Sequence, residues 1–415
     1  MDALRTFPIM YNLSKRELYE KIIQDVLDGK TGDIHPDAYQ AYSENLRKAV
    51  GGVFNADDYG DKYFDLQAQL QSNVSRFAAY KAYHLTQQLK KKREEWTNDD
   101  DFKKVAKAMM NTFNRYQAAE YNTATARART AKQWTDFNSD TIANELYPNL
   151  KWLPSRSANP REEHIPFYGL VLPKTDPFWL ENQPGNLWNC KCDWEETDDP
   201  AAATRPATIH AKGLEGNPAE TGEIFTKECT YFKNAGKKGT EIVEDFFRPI
   251  DEHHKEYVDL FKNPNYKDVK FDWDSGGMKA THNEHTFDQS TGWYETSVQD
   301  VGMKNGHAIV LEREIHTIYK KKNTEGRWDG EPFEIAGKET ATPNNIRDGL
   351  KHCAKKPNCK VAVLFFPKNN FDLSKFYSGL NMYNGLRNDP HQWRRFHKII
   401  CIQGGEIIYE KSHIE

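Results

Sequence analysis

From residue 100 to about 137 the chain is rich in Ala and contains neither Gly nor Pro. The span before it repeats apolar residues at helical spacing, and together these stretches constrain the fold most. Within residues 61–93, Leu66, Leu70, Val74, Phe77, Tyr80 and Tyr83 follow at steps of three or four, and Leu85 and Leu89 continue the run. Such steps place one stripe along one face of a long helix. Its basic end, Lys90 to Arg93, suits the negative end of the helix dipole. Asn98 or Asp99 opens the second long helix. A shorter amphipathic helix is expected over 13–29, with Ser14 and Glu17 forming a capping box and Gly29 as its stop. Helices of this length need neighbours to bury their stripes, so residues 1–147 read as a helical bundle or stalk.

The pattern stops at Tyr147. Residues 148–200 are Pro-, Trp- and Asn-rich, which predicts irregular chain held by large aromatics rather than by ladders. Residues 201–239 read as a polar linker. From 240 to 415 a second unit is expected, opening with a helix broken or bent near Pro249. Strands are predicted at 268–273, His307–Glu312, Pro332–Ile335, Val361–Phe366 and Ile399–Ile402, the last forming a hairpin with Glu406–Glu410 across Gly404–Gly405. Helices fit at 343–355, introduced by Thr342 and Pro343, and at 371–387. The expected fold class is multidomain: an elongated, mainly α-helical N-terminal module with an irregular aromatic and Cys-rich segment, then a small α+β domain.

Composition narrows the class further. Twenty-two Phe, 20 Tyr and 10 Trp exclude a disordered chain, and six Cys in 415 residues are too few for a disulfide scaffold. No apolar run is long enough to span a membrane, and the first residues do not read as a signal peptide. Residues 301–415 carry 19 Lys and Arg against 13 Asp and Glu, a balance that permits a nucleic-acid partner without requiring one.

Two clusters carry candidate chemistry. Cys190 and Cys192 flank Lys191, and with His164 they would give zinc three ligands and brace a ladder-poor segment. The alternative is a pair of buried free thiols, with His164 bonded to a carbonyl. In the second unit His282 and His285 are three residues apart and would share one face of a helix. A metal-independent ribonuclease needs a base for the 2′-hydroxyl, an acid for the leaving oxygen and a cation for the phosphorane. His282 or His285 as acid or base, Glu334 as partner, and Arg347 or Lys351 as phosphate clamp meet those demands, with Arg327 and Lys320 to Lys322 drawing in RNA. A metal-dependent DNase would instead use clustered carboxylates, for which Asp329 and Glu334 are the candidates.

The runs Tyr121–Asn122–Thr123–Ala124, Tyr147–Pro148–Asn149–Leu150–Lys151–Trp152 and Arg161–Glu162–Glu163–His164 resemble the head-morphogenesis domain of Mu gene-F-like minor head proteins of tailed phages. So do Asp176–Pro177–Phe178–Trp179 and the box Trp188–Asn189–Cys190–Lys191–Cys192, in which Lys191 stands where that family usually has Arg. The resemblance covers roughly residues 50–200. It implies a minor capsid protein inside the virion near the portal, made in the host cytoplasm, with portal and capsid proteins as partners. The region from Gly276–Gly277 and His282 through Asp329–Gly330 to Glu334 resembles the toxin-like domains, of barnase, EndoU and colicin type, found fused to phage head proteins. That implies an endoribonuclease acting on RNA such as tRNA, countered by an immunity protein. The rival reading is a purely structural head protein whose C-terminal domain is a non-catalytic binding module.

Overall fold

The computed structural model describes residues 15–54, 62–313, 323–356, 358–368 and 370–412. The expected cap Ser14 and the basic run Lys320 to Lys322 lie outside the described residues. The chain divides into two compact units, one ending at Arg248 and the other beginning at Pro249. The first is mainly helical and the second is built on a sheet.

The first unit opens with α1 (Lys15–Leu27), α2 (Pro36–Phe54), α3 (Phe64–Glu95), α4 (Asp99–Arg115), α5 (Gln117–Ser139) and α6 (Thr141–Leu146). Gly29, at φ +65°, lies just past α1 as expected of a stop. The Asn98 side chain accepts from the N–H groups of Asp100 and Asp101 and so caps α4. The single helix expected over 100–137 is two helices. The ladder slips at Tyr116, whose N–H reaches Asn114 O instead of continuing the regular pattern. The stripe on α3 is the buried one, with Leu70, Val74, Phe77, Leu85 and Leu89 all in the core. The unforeseen α2 packs on both α3 and α5 through Tyr39, Leu46 and Val50.

Residues 148–200 are not ladder-free. β1 (Asn149–Leu153) lies between β2 (Val171–Pro173) and β3 (Asp193–Thr197) in an antiparallel sheet of order β2-β1-β3. The large aromatics do form the core beside it: Trp134, Trp152, Phe167, Phe178, Trp179 and Trp194 bury together, with α7 (Phe178–Glu181) on the same cluster.

Residues 213–229 are packed rather than free, which corrects the linker reading over that part, while Ala201 to Arg205 are exposed. Ile224, Phe225, Leu214 and Cys229 are buried, and α8 (Pro218–Thr221) and α9 (Thr230–Asn234) lie on α5 and α3. The cause is polar. Arg127 of α5 is 1% exposed, and its guanidinium donates to Leu214 O, Glu215 O, Gly216 O and Glu223 O at 2.8 to 3.3 Å. Asn73 of α3 accepts from the N–H groups of Ile224 and Phe225 and donates to Phe225 O. The loop's backbone groups are thus satisfied by side chains from the helices.

The boundary between the units falls within α10 (Gly236–Phe261), which runs through Pro249 rather than breaking there. The second unit continues with β4 (Tyr266–Asp272), β5 (Gly277–His282), α11 (Gly292–Lys304), β6 (Ala308–Leu311), β7 (Gly326–Trp328) and β8 (Glu331–Gly337). α12 (Pro343–Ala354), β9 (Val361–Phe366), α13 (Leu373–Asn384), β10 (Lys398–Gln403) and β11 (Glu406–Ser412) complete it. The eight strands stand in the order β11-β10-β9-β8-β7-β6-β5-β4, parallel at β5/β6, β8/β9 and β9/β10 and antiparallel elsewhere. β9 is buried at every residue, as a strand covered on both faces must be. Asp329 and Gly330, at φ +48° and +78°, form the two-residue turn between β7 and β8.

Arg127→Ala leaves four carbonyls without their donor inside the first unit. The variant is expected to lose about 3 kcal/mol of stability, read by urea denaturation through tryptophan fluorescence. A loss under about 1 kcal/mol would mean that the 214–223 loop holds its own conformation.

Candidate functional site

The 3₁₀ turn Glu162–Phe167 carries His164, and the turn Pro184–Cys192 brings back the two thiols. That return needs close backbone approach to α5. Gly185, at φ +100°, lies where a Cβ would come within 3.1 Å of Arg127 Cγ and 3.3 Å of its backbone nitrogen. Thr130 Oγ1 donates to Pro184 O at 2.7 Å, and Asn189 N–H donates to Thr123 Oγ1 at 2.8 Å, so the box is tied to α5 at both ends. Two arginines, Arg156 and Arg161, grip it from outside. Arg161 donates to Trp188 O at 2.8 Å, and Arg156 meets Lys191 O through its N–H and Asp193 through its guanidinium.

At the centre, His164 Nδ1 lies 3.4 Å from Cys190 Sγ and 3.5 Å from Cys192 Sγ, and all three residues are buried. The imidazole tautomer follows from its other neighbour. Asn186 Nδ2 donates to Ile209 O at 2.9 Å, which leaves Asn186 Oδ1 to accept from His164 Nε2–H at 3.0 Å. Nδ1 therefore presents a lone pair to the two sulfurs. The two thiols are coupled: the hydrogen bond from Cys192 outweighs burial and holds Cys190 far below the usual thiol range, while Cys192 is pushed up. Trp152 Nε1 is buried with no hydrogen-bond partner among the described residues. Two sulfurs and one imidazole lone pair, with donor atoms within 4.8 Å of one another, form a cluster able to hold a metal ion. His164, Cys190 and Cys192 were legible in the sequence as ligands; Asn186, which orients the imidazole, carried no signal of that role, and Trp152 was legible only as part of the resembling run.

In the second unit the candidate residues part company. Glu334 lines one cleft, of about 500 Å³, whose wall also includes Glu295, Glu325, Lys338, His352 and Lys356, and His285 reaches it through Glu295. His285 backs it, donating from Nδ1 to Glu312 O at 2.9 Å and meeting Glu295 Oε2 through Nε2 at 2.6 Å. Burial works against its charge, but the bond to Glu295 wins and the pKa of His285 is raised. Glu334 is fully buried, and its Oε1 accepts from His352 Nε2 at 2.8 Å and from Lys356 Nζ at 2.9 Å.

The other four candidates are elsewhere. His282 ends β5 rather than sitting on a helix with His285; its Nδ1 accepts from Glu284 N–H, and its ring stands against Tyr266. Arg347 is paired with its neighbour Asp348 at 2.9 Å, and neither it nor Lys351 lines the cleft. Arg327 is held between Glu256 and Glu312. Asp329 belongs to a separate cluster, 2.8 Å from His307 Nδ1 and 3.5 Å from Lys398 Nζ. The three-part metal-free constellation is therefore not assembled. Glu295, Glu325 and the pair His352 and Lys356 went unread because they come from α11, the residue before β7 and the end of α12.

No family model matches the chain, and no solved structure matches it. Among curated proteins it is similar to the "Putative capsid assembly protein F" of Escherichia phage Mu, 27% identical over 147 residues. That alignment covers 32% of this chain and 31% of that protein, so the chain spans about a third of the length of the relative it matches. No helix among the described residues is long and apolar enough to cross a membrane.

The Asp329 cluster makes a pH prediction. Burial opposes a charge on His307, yet Asp329 and Glu410 outweigh it and raise the pKa to about 9. Burial likewise opposes both carboxylates, and His307 still lowers each to about 2. A raised histidine stabilises fully below its unfolded value of about 6.5 and loses that stability as pH rises through about 9. Lowered carboxylates stabilise above about 4.5 and lose it as pH falls through about 2. The melting-temperature gap between the parent and His307→Gln should therefore be widest between about pH 4.5 and 6.5 and close above about 9. A gap independent of pH would contradict the assignment.

Proposed function

We propose that this chain is a minor head protein of a tailed phage or prophage. In this reading it resides in the virion interior near the portal, is made in the host cytoplasm, and has portal and capsid proteins as partners. The observation that carries the reading is the partial similarity to the capsid assembly protein of phage Mu. The first unit supports it independently, because the resembling segments fold back on one another: the Cys-Lys-Cys box meets His164 and is tied to α5. Zinc is the ion that suits two thiolates and an imidazole, and when bound it supplies folding free energy to the aromatic knot. His164, Cys190 and Cys192 would hold it, with Asn186 fixing the imidazole.

The second unit is read as nucleic-acid-directed cargo rather than a passive binding module, because its cleft combines carboxylates with His285, Lys356 and His352. RNA or DNA and, in the host, an immunity protein are its partners in this reading. The metal-free ribonuclease mechanism is not carried forward, since His282, Asp329, Arg347 and Lys351 lie off the cleft.

Heads purified after induction should contain the protein by mass spectrometry, and deletion of its gene should leave heads fewer or non-infectious. Normal infectious yield from the deletion, with no protein in parental particles, would overturn the head role. For the metal, elemental analysis of the purified chain should find about one zinc per molecule, lost in Cys190→Ser. Chelation should also shift tryptophan emission, since the Trp152 ring lies 5.2 Å from His164. A metal-free chain with unaltered emission would reduce the knot to buried thiols.

A further inference from the structure

The charges around the cleft of the second unit do not balance. Glu295 is answered by His285, and Glu334 by His352 and Lys356. Glu325, between them, has no hydrogen-bond or ion-pair partner for its side chain among the described residues, although its backbone is fixed by bonds to Glu312 and Phe333. His285 Nε2 and carboxylate oxygens of Glu295 and Glu325 lie within 4.8 Å of one another. Independently, Glu334 is fully buried on the same wall, and its Oε2 has no hydrogen-bond partner among the described residues. A buried carboxylate oxygen left without a partner costs free energy unless something absent from the protein's own side chains meets it.

We propose that this cleft is a divalent-cation site, with His285 Nε2 and carboxylate oxygens of Glu295 and Glu325 as the ligands and the unpartnered Oε2 of Glu334 on the same wall, serving a phosphate-bearing ligand. Oxygen-rich donors with one imidazole suit a hard cation of the magnesium or manganese class, in contrast to the sulfur site of the first unit. His285 is already oriented as a ligand, because Nδ1–H is committed to Glu312 O, which turns Nε2 toward the carboxylates. Lys338, Lys356 and His352 on the same wall supply positive charge beside the cation, as phosphate oxygens require. A second cavity of about 320 Å³ in this unit, carrying Arg387, Arg394 and Arg395 beside Trp393, adds to its suitability for a nucleic acid. The cation half of the proposal stands on the carboxylates alone; the phosphate half rests on the nucleic-acid-directed reading of the cleft.

Glu325→Gln keeps the size and shape of the side chain while removing one charged ligand from the His285–Glu295–Glu325 group. The test is a titration of the full chain, as purified, with Mn²⁺, followed by electron paramagnetic resonance. One Mn²⁺ should bind per chain, at least about tenfold more weakly in Glu325→Gln and Glu334→Gln, and with unchanged affinity in Cys190→Ser. Circular dichroism controls for folding, and Glu325→Gln decides if Glu334→Gln is misfolded. No binding at millimolar Mn²⁺, or equal binding by Glu325→Gln, would overturn the cation site. A short fluorescein-labelled single-stranded DNA should then bind more tightly when Mn²⁺ is present, and less so in the Lys338→Gln, His352→Ala double variant. If Mn²⁺ binds normally but leaves DNA affinity unchanged, the phosphate half and the reading it rests on fall, and the cation site remains.

Discussion

A single buried guanidinium organises the first unit. Arg127 projects from α5 into a loop that has no ladder of its own, and four carbonyl oxygens turn inward to meet it. Burial lowers its pKa to about 10, which still leaves it charged at neutral pH. The arrangement works because desolvating one cation satisfies several carbonyl groups at once. It also places the neighbouring turn, since Gly185 passes directly over Arg127 and the chain from Pro184 to Cys192 is laid along α5 from there. The meeting of Cys190, Cys192 and His164 follows from how that helix is decorated as much as from the box itself.

Local signals were legible and distant compensations were not. Val361–Phe366 is a strand over the span its apolar run predicts, Thr342 caps the helix that begins at Pro343, and Gly404–Gly405 closes its hairpin. Each of those is decided by neighbours in sequence. β5 was not among the strands expected, since Lys279 and Thr281 break its apolar run. In the fold Lys279 pairs with Asp300, and Thr281 faces Gln299, both on α11. Residues 201–239 have the composition of a linker, but their backbone partners are Asn73 and Arg127, far away in the chain. Similarly, α2 carries Gly51 and Gly52 near its end, yet burial between α3 and α5 outweighs their poor propensity.

The candidate sites divide along the same line. His164, Cys190 and Cys192 were recognisable because thiol and imidazole are rare and their roles narrow. Carboxylates are common, and 61 Asp and Glu give no hint of which three converge. The signal that draws out Glu295, Glu325 and Glu334 is the helix α11, the start of β7 and the strand β8 meeting at one cleft. Spacing suggested a helical His282–His285 pair. The strand hydrogen bonds of β5 end at His282 and leave the two imidazoles with different partners.

Charge accounting also separates the polar clusters by what they can do. His307, Asp329, Lys398 and Glu410 answer one another, with two cations for two carboxylates, and that closure is the mark of a structural network. The cleft has no such closure. His285, His352 and Lys356 engage Glu295 and Glu334, and the remaining carboxyl of Glu325 has no hydrogen-bond or ion-pair partner among the described residues. A protein selected only for stability would lose that third carboxylate at no cost in folding. Its place beside an unpaired oxygen of Glu334 makes sense where a cation is the occupant that matters.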